Sequence, residues 1–278
     1  MERDWVKQRR GMMRRNLLLV LALAGLMSVA AAAIATAKKS RTTVKAGNLV
    51  LTFGGGISPT KLPKDQYVPV TADLFGKIST DDGTHPSAFR EVTVDTDKDF
   101  RINVKGLPIC KAGQLTARNT AAALKVCGDT ELGTGSAHAE IAFPEQPPIK
   151  VASPLKVFNG GEKGGKVKLL VHTFITVPVP AAIVTNVTIS RKGSGLHSVA
   201  KIPVIAGGSG SALDFSFKLG RTYTYKGKKV GYLEAKCPDG VFKANVKNAL
   251  FKNEAKIPGV AAQTALQGGL TLPCTPKG

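Results

Sequence analysis

Apolar residues in this chain recur mainly at every second position. Val68, Val70, Ala72 and Leu74 alternate with polar or special residues, as do Val92 and Val94, and then Phe100, Ile102 and Val104. A period of two belongs to a strand with one face buried and the other wet. The same pattern, bounded by Gly, Pro and Asx, marks residues 139–143, 155–158, 167–175, 183–189, 199–204, 213–217, 230–237, 242–250 and 270–272. About a dozen strands at short spacing, without interleaved helices, predict an all-β fold, an antiparallel sandwich or barrel, of which the β-sandwich is the expectation taken forward. One segment has a helical signature. Asn119 can cap residues 120–127, Leu124 and Cys127 share a face, and Gly128 follows as a stop.

Residues 38–46 read as a basic flexible arm, and Gly54-Gly55-Gly56 with Pro59 and Pro63 as an irregular loop. Residues 47–278 then form the sandwich body. Pro144, Pro147, Pro148 and Pro154 make a break near 144–155, where two subdomains could divide. One immunoglobulin-like sandwich needs about 100 residues, so the body holds two such units or one enlarged one. No repeat relates the halves, which favours one continuous body.

Ahead of the body, Arg9-Arg10 and Arg14-Arg15 precede an apolar run over 17–35, and Ala35-Thr36-Ala37 has the small residues of a cleavage site. Together these make residues 1–37 a signal peptide. The alternative is an uncleaved anchor helix, because about 19 apolar residues just span a bilayer. Either way the body is expected outside the cytoplasm, secreted or held at the membrane. In that compartment an even number of cysteines implies disulfides. The short loops favour Cys110 with Cys127 and Cys237 with Cys274, whereas a metal site would need closer spacing.

The charge is unevenly spread. The whole chain has 39 Lys+Arg against 19 Asp+Glu, net +20. Residues 163–278 carry seventeen basic residues against four acidic ones (Asp214, Glu234, Asp239, Glu254), net +13, whereas 38–162 carry only +3. Alternation puts Lys166 and Lys168 opposite Val167 and Leu169, and Lys243 and Lys247 opposite Phe242, Ala244 and Val246. Residues 221–229 read as a hairpin, with Arg221, Tyr223 and Tyr225 before Lys226, Lys228 and Lys229 around a Gly227 turn. These ten residues are the candidates for contact with an anionic surface. Nucleic acid is a poor partner for an exported protein, so an anionic envelope polymer or lipid surface is the expected one. The plain alternative is that the lysines keep the protein soluble and block edge pairing.

Other motifs fail on their own chemistry. Gly160 to Lys166 matches a phosphate loop, but Val167 replaces its Ser/Thr and a strand follows where a helix is needed. Asp95, Asp97 and Asp99 have calcium-loop spacing, yet Phe100 stands where Gly is required and Gly106 where Glu is. A looser cation site on a turn is the metal reading left to them. His85, His138, His172 and His197 are scattered; His138-Ala-Glu140 lacks the downstream cysteines of a deaminase. Gly207 to Ser211 resembles a nucleophile elbow without its last glycine or its strand-to-helix context. No spacing singles out a catalytic set, and no cofactor motif is present. The one Trp, Trp5, lies in the leader, so only Tyr223, Tyr225 and Tyr232 could form a sugar-stacking platform.

Gly106-Leu107-Pro108-Ile109-Cys110, Cys127-Gly128, Phe158-Asn159-Gly160-Gly161, residues 205–210 and Cys237-Pro238-Asp239-Gly240 carry a resemblance. The chain resembles a group of exported β-rich proteins of high-GC Gram-positive bacteria that has no assigned activity. These motifs are turns and cysteines, so the resemblance implies fold and export and transfers no functional residue. The expectation is a non-catalytic, disulfide-stapled β-sandwich at the cell envelope. The alternatives are a secreted hydrolase with a site assembled from distant residues, and a carrier of an apolar ligand.

Overall fold

The computed structural model describes residues 39–143 and 145–278. Residues 1–37, expected to be a signal peptide or anchor, and Lys38 lie outside them. Seven strands come first: β1 (Ser40–Ala46), β2 (Leu49–Ser58), β3 (Lys61–Pro63), β4 (Val68–Pro69), β5 (Thr71–Thr80), β6 (Ala88–Thr96) and β7 (Phe100–Ile102). The helix α1 (Thr120–Cys127) follows, then β8 (Glu131–Ile141), β9 (Ile149–Lys163), β10 (Lys166–Ile175) and β11 (Ala181–Lys192). The chain continues through β12 (Gly195–Lys201), β13 (Gly210–Leu219), β14 (Thr222–Tyr225) and β15 (Lys228–Gly231). It ends with β16 (Leu233–Ala235), β17 (Val241–Lys252), β18 (Gln263–Pro273) and β19 (Thr275–Lys277).

Twelve strands form one antiparallel sheet in the order β1-β2-β5-β13-β8-β9-β10-β11-β12-β6-β17-β18. Its two halves pack face to face. Leu49, Leu51 and Ile78 of β2 and β5 meet Phe89, Val246 and Phe251 of β6 and β17. The sandwich layers are therefore one sheet folded over, and its edges almost join. The Thr42 hydroxyl of β1 donates to the Gly269 carbonyl of β18 at 2.7 Å. Gly268 makes room there, since a Cβ would stand 2.9 Å from Val44. The larger core gathers Val157, Leu169, Tyr232, Phe242 and Leu272. The small sheet β4-β16-β7 feeds this core with Phe100, Leu233 and Ala235.

Three expectations change. Residues 40–46 are strand β1, paired with β2 from Ser40↔Gly55 to Ala46↔Leu49, not a flexible arm. Thr42, Val44 and Ala46 alternate with exposed Arg41, Thr43 and Lys45, which is strand patterning hidden by the charge. Gly54 and Gly55 lie within β2, not in a loop, because a Cβ on Gly54 would meet the Phe75 ring at 2.6 Å. The break near 144–155 divides nothing. β8 and β9 pair across it from Ile141↔Ile149 to Glu131↔Phe158, and β9 runs through Pro154.

α1 forms as its cap predicts, with the Asn119 Oδ1 accepting the Ala122 N–H at 2.9 Å. Gly128 keeps a right-handed φ of −55° and leads into a short 3-10 turn, so it is not a left-handed stop. The helix buries Ala123 and Cys127 against Leu115, Phe158 and Leu170 in a satellite core. Cys110–Cys127 links the helix to the segment before it, whose Cys110 N–H donates to the Asn159 carbonyl of β9, and Cys237–Cys274 closes the C-terminal strands. Two disulfides suit an extracytoplasmic protein. Among the described residues no helix is long and apolar enough to cross a membrane.

Candidate functional site

β6, β12 and β17 lie side by side in the sheet, and their wet faces carry polar residues in register. His197 pairs with Asp95, and Asp95 with Asn245. The β11–β12 turn and the segment after β6 stand over this surface and enclose an open groove of about 500 Å³. Asp95, Asp97, Asp99, Lys192, Ser194, Asp239, Lys243, Asn245 and Lys247 are among its lining residues. The three candidate metal ligands and two candidate anion-binding lysines thus share one depression. The sequence signal that could have joined them was the polar side of two strands, but it does not reveal that β6 and β17 are neighbours.

Within the groove the carboxylates are largely engaged. Asp95 lies 2.5 Å from His197 Nδ1 and 3.6 Å from Lys192 Nζ. Burial works against ionisation of Asp95, but the His197 hydrogen bond and Lys192 outweigh it and hold the carboxyl below its ordinary value. Asp97 accepts the backbone N–H groups of Asp99 at 3.1 Å and Lys243 at 2.5 Å. Burial raises the pKa of Asp97 nonetheless, with a further push from Asp239. Asp99 is raised by burial and then by Asp97; it faces Lys236 at 4.0 Å, and its Oδ1 has no hydrogen-bond partner among the described residues. The strand ends at Thr96, between Asp95 and the other two, and the three carboxylates take different partners. Among the described residues no three His, Cys, Asp or Glu side chains converge as a metal-ligand set.

The other candidate residues lie elsewhere. Lys166 and Lys168 sit on β10 beside its turn with β9. On the β14–β15 hairpin, Lys226 adopts φ +49° and Gly227 φ +73°, which exposes Lys226, Lys228 and Lys229 at the tip. Arg221 is used internally, its guanidinium donating to the Asp129 and Glu131 carbonyls. Tyr223 is half-buried and donates to the Asn103 carbonyl at 3.2 Å. The Tyr225 ring leaves no room for a Cβ on Gly106, and Lys226 Nζ stands 5.7 Å from the ring centroid. Tyr232 is fully buried in the core, so the three tyrosines make no sugar-stacking platform. His172, also fully buried, bonds the Arg118 carbonyl through Nε2 at 2.9 Å; burial lowers its pKa, so it anchors the chain before α1 as a neutral ring.

Sequence reasoning missed one constellation. The β5–β6 connection brings His85 Nδ1 to 2.8 Å from Glu140 Oε1 of β8 and His85 Nε2 to 3.2 Å from Ser211 Oγ of β13. This is the order of a serine-hydrolase relay. The hydroxyl, however, donates to the Pro86 carbonyl, and Ser211 is only 1% exposed. Pro86 adjoins His85, so the acceptor of the hydroxyl and the neighbouring imidazole belong to one segment. The relay is a latch that holds the β5–β6 crossing. Arg90 does the same for the β12–β13 crossing, binding Glu254 and the Pro203 carbonyl.

No family model matches the chain, and neither a curated protein nor a solved structure matches it.

Proposed function

We propose that this is an exported, non-catalytic β-sandwich protein that binds an anionic polymer of the cell envelope through lysines of its second half. One observation carries the reading: nine carboxylates have basic partners within the molecule, whereas the seven candidate lysines have none. Asp73, Asp81, Asp95, Asp99, Glu131, Glu140, Asp214, Glu234 and Glu254 all have cationic or His partners. Lys166, Lys168, Lys226, Lys228, Lys229, Lys243 and Lys247 have no carboxylate within ion-pair reach among the described residues. The positive field is therefore uncompensated at the surface, where it attracts polyanions over about a Debye length.

The sealed Ser211 supports a binding role over hydrolysis. The packed interior, with Phe242, Phe251 and Tyr232 fully buried, gives little support to an apolar-ligand carrier. Binding of the protein without its leader to immobilised polygalacturonate and polyglycerol phosphate is the test. Association should be measurable at about 20 mM salt and lost by about 500 mM, as screening requires. No association at low salt, or equal association with a neutral glucan, refutes the proposal.

A further inference from the structure

We infer that the groove between β6, β12 and β17 is a specific seat for a short run of that polymer, one whose repeating unit carries both an anionic group and a hydroxyl. The inference rests on the anionic-polymer reading and adds where and how a repeat is recognised. Lys243, Asn245 and Lys247 are all exposed and occupy alternate positions of β17. Alternate residues share a face and stand about 7 Å apart along a strand, so the two ammonium groups bracket an amide over a span of about 13 Å. The strand pairing shifts register just after Val246, next to Lys247. A linear chain with regularly repeated charges meets this row as anion, hydroxyl, anion.

The walls set four aspartates (Asp95, Asp97, Asp99 and Asp239) against four lysines (Lys98, Lys192, Lys243 and Lys247), so the anion seat is the β17 row and not the groove as a whole. Asp95 is held by His197 and Lys192 and Asp97 by two backbone N–H groups, whereas Asp99 only faces Lys236 at 4.0 Å. Asp239 accepts the Val241 N–H at 3.3 Å, is exposed and has no cationic partner among the described residues. Lys98, Lys243 and Lys247 line the groove with no carboxylate within ion-pair distance among the described residues, although Lys98 and Lys243 are near enough to act on Asp99 and Asp97. Ser194 on the opposite wall offers a hydroxyl. The volume of about 500 Å³ lies in the usual range for small-molecule sites. The β14–β15 hairpin, by contrast, offers charge without a cavity and suits only the diffuse part of polymer attraction.

Calorimetry with short oligomers separates the groove from the diffuse field. A trimer of galacturonic acid and a trimer of glycerol phosphate should each bind with one-to-one stoichiometry, and the tighter of the two identifies carboxylate or phosphate as the anion. Lys243→Gln with Lys247→Gln should weaken the trimer by about tenfold or more, the usual scale for losing hydrogen bonds to charged groups. Asp239→Asn should strengthen it. Replacing Lys226, Lys228 and Lys229 by Gln should leave trimer affinity unchanged while weakening the long polymer. All these side chains are exposed, so unchanged thermal unfolding confirms that each variant is folded. Polymer binding without trimer binding, or trimer binding indifferent to Lys243 and Lys247, overturns the groove and leaves the broader reading standing. Failure of polymer and trimer alike refutes both.

Discussion

Removing the two disulfides one at a time separates the satellite lobe from the main sheet. The cysteines of Cys110–Cys127 are 17 residues apart and those of Cys237–Cys274 are 37 apart. Chain entropy puts their contributions at about 3 and about 4 kcal/mol. The difference is small, but the two bridges act on different structures. Cys237 and Cys274 belong to the main core, and Cys274 ends the segment that leads β18 into β19, which pairs with β3. Cys110 and Cys127 belong to the satellite cluster on the other face of β9 and β10. Replacing Cys237 and Cys274 by Ala should lower the global unfolding free energy by about 4 kcal/mol in urea. The same change at Cys110 and Cys127 should remove hydrogen-exchange protection from α1 while most of the twelve-stranded sheet keeps its own. Equal loss of protection throughout the sheet in both variants would show that the lobe is not a separate unit. A loss under about 1 kcal/mol in both would refute the loop-entropy reasoning.

Three further outcomes follow from buried groups. Asp99→Asn should raise the unfolding midpoint at pH 7, because the carboxyl is nearly buried and its pKa is raised by burial and Asp97. A raised carboxyl pKa means that the native state holds the proton more tightly, so the gain should fade on acidification; a destabilised Asn variant at pH 7 refutes this. His172 works in the opposite sense. Burial lowers its pKa, so the unfolded chain takes up a proton below about pH 6.5 that the native chain refuses, and stability falls with acid. His172→Gln should flatten that part of the pH profile in urea titrations, and an unchanged slope would exclude His172 as its source. Gly76→Ala should cost about 1–3 kcal/mol, since the new Cβ would stand 2.6 Å from the buried-side Phe215 ring; a neutral effect on thermal unfolding would mean that the ring moves freely.

Much of the fold was legible because strand alternation and local cysteine spacing are short-range signals. Val167 and Leu169 face inward as their period requires, and Asn119 caps its helix. What failed to read was long-range or disguised. β1 looked like an arm because Arg41 and Lys45 occupy its wet face, and β2 looked like a loop because its glycines answer to Phe75 and Asp73 on another strand. The candidate site was half visible. Lys243, Lys247 and the three aspartates of residues 95–99 stood out singly, but only the β6–β17 register unites them. His85, Glu140 and Ser211 are 55 and 126 residues apart from the central histidine, so no local pattern could announce their latch.

The central claim is that unpaired lysines, not total charge, bind the polymer. Its most direct test compares the wild type with a variant in which Lys226, Lys228, Lys229, Lys243 and Lys247 are Gln, measuring affinity for polygalacturonate and polyglycerol phosphate at low salt. The account predicts at least about a tenfold loss for the polymer it binds and a shallower salt dependence. Equal affinity, or equal loss when five lysines outside this set are neutralised instead, would contradict it.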